Sequence, residues 1–265
     1  MKLTEKVHAI KFTSSEKINV EDELSVEEII QISINNEPYT ITMRSPGDEG
    51  DLIRGILWTE NVYQNDNEKL QLSFLNKNEL GFITSANVNI PINELKKGID
   101  TKRNLMSVTS CGMCGKKEED LFLGEALQNN IEIKASDILM MFEKMQTMQK
   151  TFHHSGGSHA SAAFSKNGKM LALKEDIGRH NAVDKVIGNL INTQQLFDTN
   201  VLLVSGRLSY EIISKCYRAK IPILAAVSAP SSMAVRVAED CGISLLAFCR
   251  NEKATVYSQQ HRIIL

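Results

Sequence analysis

The pattern of apolar and polar residues in the first hundred positions is typical of short strands around one helix. Asn35-Asn36 separates two alternating segments and predicts a β-hairpin. We expect Asp51 to cap a helix whose apolar residues recur at helical spacing, at Leu52, Ile53, Ile56 and Leu57. Four strands are predicted, at residues 29–34, 39–43, 70–74 and 81–90. Residues 1–105 are therefore predicted to form a small α+β domain.

Longer apolar runs follow in the second half of the chain. Residues 201–205, 221–228 and 243–249 are continuously apolar, which is typical of strands buried on both faces. Helices are predicted between them, at 209–219 and 232–241. This β-α-β-α-β succession predicts an α/β domain with parallel strands over residues 106–265.

Two more elements are predicted between these regions. Asn167-Gly168 lies between two apolar runs and predicts a hairpin in which both residues have positive φ. Ser136 is expected to cap a helix with a methionine-rich apolar stripe, which we interpret as core packing rather than a partner groove. The stripe and its neighbours are Leu139, Met140, Met141, Phe142, Met145, Met148 and Phe152.

Composition narrows the function classes. The chain has 265 residues, 42% of them hydrophobic, which is sufficient to form a buried core. Its formal charge of −2 shows no basic excess, so a nucleic-acid backbone is not an expected partner. We expect no membrane span, because no uncharged apolar stretch reaches about 18 residues. Five cysteines, three of them in apolar surroundings, suit a reducing cytoplasm.

Three loops are expected at the carboxyl edge of the parallel strands, where helix N-termini and free amides collect anionic ligands. They carry hydroxyls, glycine and cations that suit a diphosphate. The candidate binding residues are Ser205, Gly206, Arg207, Ser228, Phe248, Cys249, Arg250, Asn251, Glu252 and Lys253.

A dense polar run from Glu175 to Lys185 joins a strand to a helix. Loops at such junctions frame sites, so we predict a functional role for it. The simpler alternative is a helix start at Asn181 or Asp184, with an ion pair between Asp176 and Arg179.

Cys111-Gly-Met-Cys114-Gly is the most specific motif of the chain. Two thiols with flanking glycines form a loop that can present sulfur to a partner, and the sulfurs could carry electrons, a metal or sulfur. Zinc is disfavoured, because no second CxxC follows and His153, His154 and His159 have loose spacing. Two alternatives remain open: a dithiol oxidoreductase, and a non-catalytic adaptor that binds zinc or a nucleotide.

Five motifs in this order resemble the formate dehydrogenase accessory sulfurtransferase family, FdhD/NarQ. They are Cys111-Gly-Met-Cys114-Gly, Gly156-Gly-Ser-His159-Ala, the run Glu175 to Lys185, Ser205-Gly-Arg207 with Ser209-Tyr-Glu211, and Ala226-Val-Ser228-Ala-Pro.

The resemblance implies a cytosolic sulfur carrier that takes persulfide sulfur from a cysteine desulfurase. It passes the sulfur to the bis(guanine dinucleotide) molybdenum cofactor of formate dehydrogenase, so guanosine diphosphate should mimic part of the ligand. It further implies a cytidine-deaminase-like α/β domain, a homodimer, Cys111 as the persulfide residue with Cys114 as its companion, and a cofactor segment at 248–253.

The chain departs from the family pattern at Asn251-Glu252-Lys253, where relatives often carry Pro-Gly followed by arginine. We therefore expect a less constrained backbone there and a point charge in place of a planar guanidinium. Deaminase chemistry is not expected, because His159 is followed by Ala160-Ser161 instead of the H-x-E motif.

Overall fold

The computed structural model describes residues 3–96 and 123–265. Its first element is an exposed antiparallel hairpin of β1 (Thr4–Phe12) and β2 (Lys17–Ser25). Sequence reasoning missed this hairpin, because charged residues on both strands mask the apolar alternation. One of them, Lys6, pairs across the hairpin with Glu21 at 2.5 Å.

A four-stranded sheet in the order β4-β3-β6-β5 follows. Asn35 and Asn36 have φ of 53° and 68°, which confirms the predicted turn. The helix α1 (Glu49–Thr59) covers one face of the sheet and buries Leu52, Ile53 and Leu57 against it. The strands are β3 (Glu28–Ile34), β4 (Glu37–Arg44), β5 (Gln71–Lys77) and β6 (Ile83–Asn89).

The predicted start of α1 is wrong by three residues. The helix begins at Glu49 with Asp48 in the N-cap position, so Asp51 lies inside the first turn. The carboxylate of Asp51 instead accepts hydrogen bonds from Asn189 Nδ2 at 2.9 Å and Asn192 Nδ2 at 2.8 Å. A tertiary contact thus uses the side chain that local reasoning assigned to the cap.

The second sheet has six strands in the order β13-β12-β11-β10-β8-β9. The prediction of parallel strands is confirmed for β10, β11 and β12, whereas the flanking pairs are antiparallel, so the sheet is mixed. The strands are β8 (His159–Phe164), β9 (Met170–Asp176), β10 (Val201–Val204), β11 (Ile223–Ala226), β12 (Ser244–Arg250) and β13 (Lys253–Ser258).

Helices cover both faces of this sheet. α4 (Arg179–Asn192), α5 (Tyr210–Arg218) and α6 (Ser232–Asp240) pack on one face, and α2 (Ala135–Thr147) packs on the other, followed by α3 (Lys150–Ser155). Leu202 and Val204 pack in the core on the side of α4, α5 and α6, whereas Val201 and Leu203 pack in the core on the side of α2. Burial on both faces explains why these strands read as continuous apolar runs. A short parallel pair, β7 (Ile133–Lys134) and β14 (Ile263–Ile264), lies apart from it.

Three smaller expectations need correction. Gly168 has φ of 74°, but Asn167 is not in the left-handed region, so the hairpin loop is not the predicted two-residue turn. α2 begins at Ala135, one residue before the predicted cap Ser136, and has no side-chain cap. Within the methionine-rich stripe Met141 and Met145 are buried as expected, but three side chains are exposed: Met140, Met148 and Phe152.

The helices α1 and α4 approach so closely that glycine is required on both. A Cβ at Gly55 would lie 1.9 Å from the carbonyl oxygen of Asp184, and one at Gly188 would lie 1.8 Å from that of Asp51. Trp58 extends this contact by donating its indole N–H to the carbonyl of Arg218 at 3.0 Å. The two sheets are therefore joined through a tightly packed helix pair.

The protein is a mixed α/β structure. The predicted boundary at residue 105 lies outside the described residues, so the division into 1–105 and 106–265 stays a prediction. The cytidine-deaminase-like assignment likewise stays a prediction.

Candidate functional site

A cleft of about 740 Å³ opens between α2, α3 and the β12–β13 hairpin, at the edge where β10 and β11 end. Parallel strands place ligand sites at this edge, and the volume is typical of small-molecule sites. Five of the predicted binding residues line it: Ser205, Cys249, Arg250, Asn251 and Glu252. The remaining wall is formed by Leu139, Phe142, Glu143, Met145, Gln146, Gln149, Phe152, Gly156, Gly157, Ser158, His159 and Val227.

The other predicted binding residues do not line this cleft, and their ligand contacts stay predictions. They are Gly206, Arg207, Ser228, Phe248 and Lys253. The loops after β10 and β11 nevertheless lie against each other as expected. Leu208 N–H donates to the carbonyl of Ala229 at 3.1 Å, and Ser231 N–H donates to that of Leu208 at 2.9 Å.

Residues 248–253 form the tip of a hairpin rather than a strand-to-helix loop. β12 continues to Arg250, which pairs with Lys253 across a two-residue turn. Asn251 and Glu252 have φ of 52° and 57°, so the turn is tight. The expectation that its backbone is less constrained than the Pro-Gly of relatives stays a prediction. Arg250 reads as a loop residue because it is charged and follows the apolar run, yet the strand continues through it.

Cys249 lines the cleft, and its thiol is protonated. Its side chain is 2% exposed, and burial raises its pKa to about 12. Burial also raises the pKa of Cys241 to about 11 and that of Cys216 further. These three free cysteines are buried, as expected for structural residues, and none has thiolate character. Cys111 and Cys114 lie outside the described residues.

His159 and Arg179 flank Gly206, which follows the cleft residue Ser205. A Cβ at Gly206 would lie 3.2 Å from both Cβ and Cδ of Arg179 and 3.5 Å from His159 Nδ1. His159 Nδ1 lies 3.3 Å from Ser205 Oγ, which also accepts the N–H of Ala160 at 3.0 Å. Burial and then the charge of Arg179 lower the pKa of His159, and Asp176 opposes them. From the sequence, His159 belongs to a family motif and to the zinc alternative, and no pattern predicts its proximity to Arg179.

Asp176 is fully buried, and its carboxylate does not pair with Arg179. It forms an ion pair of 2.7 Å with Lys185 and accepts the N–H of Ser45 at 3.1 Å, that of Gly178 at 2.8 Å and Asn181 Nδ2 at 3.1 Å. The proposed Asp176–Arg179 ion pair is therefore wrong. The Asp176 carboxylate connects the start of α4 to Ser45, which follows β4 of the other sheet. Arg179 does not pair with this carboxylate.

Glu175 holds the glycine loop beside the cleft. Its carboxylate accepts the N–H groups of Thr151 at 2.9 Å and Phe152 at 2.8 Å, which lie at the start of α3. It also accepts the hydroxyl of Ser158 at 2.9 Å. One carboxylate thus fixes α3 relative to the loop that precedes His159.

Asp184 and Lys215 form a second buried ion pair, between α4 and α5. Lys215 Nζ lies 2.9 Å from both carboxylate oxygens of Asp184 and 2.9 Å from Thr59 Oγ1. Although burial disfavours the charged amine, Asp184 and then Glu60 raise the pKa of Lys215. Asp184 lies inside α4 rather than at its start, so its role is structural.

The histidines of the zinc alternative point to other partners. His153 Nε2 lies 2.9 Å from the carbonyl of Gln146, and His154 Nδ1 lies 3.0 Å from Glu23 Oε2. Among residues 3–96 and 123–265, no three His, Cys, Asp or Glu side chains cluster as metal ligands. Within the same ranges, no helix combines the length and apolarity required to cross a bilayer.

Comparison with known proteins gives a consistent result across the chain. Residues 25–264 match the model of the FdhD/NarQ family. The sulfur carrier protein FdhD of Mycobacterium tuberculosis is 39% identical over 251 residues, 91% of each chain. The protein of that name from Sulfolobus acidocaldarius is 37% identical over 264 residues, 98% of each chain.

A solved structure extends the likeness to the fold. The crystal structure of a candidate formate dehydrogenase accessory protein from Desulfotalea psychrophila superposes with a TM-score of 0.78. It covers 99% of this chain and 100% of that one at 20% identity, and at that identity it supports the fold alone. The matched family model and the similar sequences extend over both sheets and the cleft. This chain is accordingly a member of the FdhD/NarQ family.

Proposed function

We propose that this protein is a sulfur carrier that activates formate dehydrogenase by adding sulfur to its molybdenum cofactor. The observation that carries the proposal is similarity over 91% or more of the chain to proteins named sulfur carrier protein FdhD. Cys111 is the sulfur-bearing residue of this proposal. A cysteine desulfurase supplies the sulfur, and the protein acts in the cytoplasm as a homodimer.

The loading step is a thiol–persulfide exchange. The Cys111 thiolate attacks the outer sulfur of the donor persulfide, so a new S–S bond forms on Cys111 while the donor S–S bond breaks. The donor cysteine leaves as a thiolate, and no net oxidation occurs. A second thiolate, Cys114, then attacks the inner sulfur of the persulfide, which forms a disulfide and releases the outer sulfur as hydrosulfide. A thiol reductant restores the dithiol.

The cleft is the proposed site of the acceptor, the bis(molybdopterin guanine dinucleotide) cofactor. Its volume of about 740 Å³ suits one nucleotide arm, and Ser205, Arg250 and the Gly156-Gly157 backbone supply polar contacts. Arg250 is exposed at the tip of the hairpin, where its guanidinium can reach a phosphate. Guanosine diphosphate is the simplest probe of this arm.

Intact-mass measurement tests the sulfur carrier proposal. After incubation with a cysteine desulfurase and cysteine, we expect the mass of the wild-type protein to increase by one sulfur atom. Cys111→Ala should abolish that increase, whereas Cys241→Ala, which removes a buried thiol, should retain it. An unchanged mass in the wild type, or equal loading of Cys111→Ala, would contradict the proposal.

Calorimetric titration with guanosine diphosphate tests the cleft. Arg250→Gln should weaken binding by about 10- to 100-fold, because a charge-assisted phosphate contact contributes roughly 1.5–3 kcal/mol. Arg236→Gln, at an exposed position of α6, provides the matched loss of one positive charge. Equal affinity of the Arg250 variant and the wild type would place the nucleotide outside this cleft.

A further inference from the structure

Arg179 contains a buried donor without an acceptor. Its Nε is inaccessible to solvent and makes no hydrogen bond. The guanidinium has no ion pair with any side chain in the described ranges, 3–96 and 123–265. Asp176, the nearest acid in sequence, is already occupied by Lys185 and three other donors. Arg44 and Arg54 also have an unpaired Nε, but the Nη2 atom of each has a protein partner. The Arg179 guanidinium has none among the described side chains, so it is available to an anion.

The side chain of Arg179 lies directly against Gly206. Its Cβ and Cδ would lie 3.2 Å from a Cβ at that residue, which is closer than an ordinary carbon contact. Glycine therefore allows the arginine stem to pass directly over the backbone of the loop after β10. The same passage brings the guanidinium toward His159, on the other side of Gly206.

His159 supplies a neutral hydrogen-bond donor beside this cation. Ser205 Oγ accepts the N–H of Ala160, so its own hydrogen is available for His159 Nδ1 at 3.3 Å. We assign the ring proton to Nε2 on this basis. Burial and the charge of Arg179 lower the pKa of His159, so the ring is neutral near pH 7.

One guanidinium and one neutral N–H donor match an anion with a single charge. A diphosphate carries more negative charge than this pair can compensate in a half-buried site. The guanidinium is also weakly hydrated and delocalised, which suits a polarisable anion. Hydrosulfide and persulfide anions are singly charged and polarisable, whereas free pyrophosphate is multiply charged and strongly hydrated.

We propose that Arg179 and His159 form a binding site for a singly charged sulfur anion of the hydrosulfide or persulfide class. This inference rests on the proposed sulfur carrier function and adds to it the residues that hold the sulfur in transit. The site adjoins the proposed nucleotide cleft, which His159 and Ser205 line. Sulfur released there is adjacent to the proposed acceptor.

Histidine-ring NMR of the uniformly ¹⁵N-labelled full chain tests this site without sulfur transfer. His159 signals are identified by their loss in His159→Gln. Sodium thiocyanate serves as a non-reacting, singly charged sulfur anion, and sodium pyrophosphate as the multiply charged comparison, both at constant ionic strength. We expect thiocyanate to shift the His159 signals saturably, and pyrophosphate to bind more weakly at His159, because the proposed phosphate contact is at Arg250.

Variants locate the charge that holds the anion. Arg179→Gln should weaken thiocyanate binding by about tenfold, because it removes a charge-assisted contact. Arg179→Lys should lie between it and the wild type, since the charge remains but the planar fork is lost. Arg236→Gln should bind as the wild type does, which controls for net charge.

Three results would overturn the inference: a non-saturating shift, stronger binding of pyrophosphate at His159, or wild-type thiocyanate affinity in Arg179→Gln. The outcome is separable from that of the mass experiment. A protein that takes up sulfur but shows no thiocyanate site refutes only this inference. A wild-type protein that takes up no sulfur refutes the proposed function.

Discussion

The contact between α1 and α4 gives the sharpest stability prediction. Gly188→Ala places a methyl group 1.8 Å from the carbonyl oxygen of Asp51, and Gly55→Ala places one 1.9 Å from that of Asp184. Against the 3.4 Å of an ordinary contact, the shortfalls are about 1.6 Å and 1.5 Å. The opposing atoms belong to helix backbones and cannot rotate away, so the helices must separate.

The expected cost follows from two opposing effects. Overpacking costs about 1–3 kcal/mol and sometimes more, and a backbone clash belongs at the upper end. Alanine returns up to about 1 kcal/mol of helix propensity relative to glycine. We therefore expect each variant to lose about 2–3 kcal/mol, which corresponds to a Tm decrease of about 4–12 °C for a chain of this size.

Thermal unfolding followed by circular dichroism measures this effect. Gly50→Ala is the matched control, because it lies in α1 and its Cβ would meet only Leu72 Cδ2 at 3.7 Å. The double variant Gly55→Ala/Gly188→Ala should cost less than the sum of the single changes, since one separation of the helices accommodates both methyl groups. Equal Tm values for Gly188→Ala and Gly50→Ala would refute the reasoning.

Three further predictions concern charge and backbone strain. Lys215→Met should lower the free energy of unfolding by about 3–5 kcal/mol in urea titrations, because it leaves Asp184 buried without its cation; a loss below about 1 kcal/mol would contradict this. Arg179→Gln should raise the pKa of His159 in an NMR titration, because repulsion of the protonated ring is removed. Because the pKa of His159 is depressed in the folded wild type, this residue stabilises the fold fully above pH 6.5, and its contribution decreases as the pH falls below that value. In Arg179→Gln the free energy of unfolding should therefore decrease less on acidification. Glu252→Gly should raise stability by about 0.5 kcal/mol, because glycine removes the strain of φ 57° at a small entropic cost; a lower Tm would argue against the tight turn.

Local patterns were sufficient where the determining contacts are close in sequence. The Asn35-Asn36 turn and the three parallel strands follow from turn chemistry and continuous apolar runs, and the structure confirms them. The clustering of Ser205 with Cys249 and Arg250 follows from a general property of parallel sheets, in which the carboxyl ends of the strands share an edge.

Two features that sequence reasoning missed depend on backbone conformation and on tertiary contacts. Arg250 looked like a loop residue because its pairing with Lys253 depends on a turn of two non-glycine residues at positive φ. Asp176 looked like a partner of Arg179 because the two are close in sequence, yet Lys185 and the backbone of Ser45 occupy its oxygens.

The sequence by itself determined the family, the order of the main elements and the candidate edge of the sheet, because motif spacing and apolar periodicity are local properties. Only the tertiary structure decided that His159 and Arg179 meet at Gly206. Residues 159, 179 and 206 lie on three different elements, and their distances are set by the packing of α4 against the sheet and by the ion pair that holds Asp176 away from Arg179. Which groups stay charged without a partner is a property of that packing, and no local pattern specifies it.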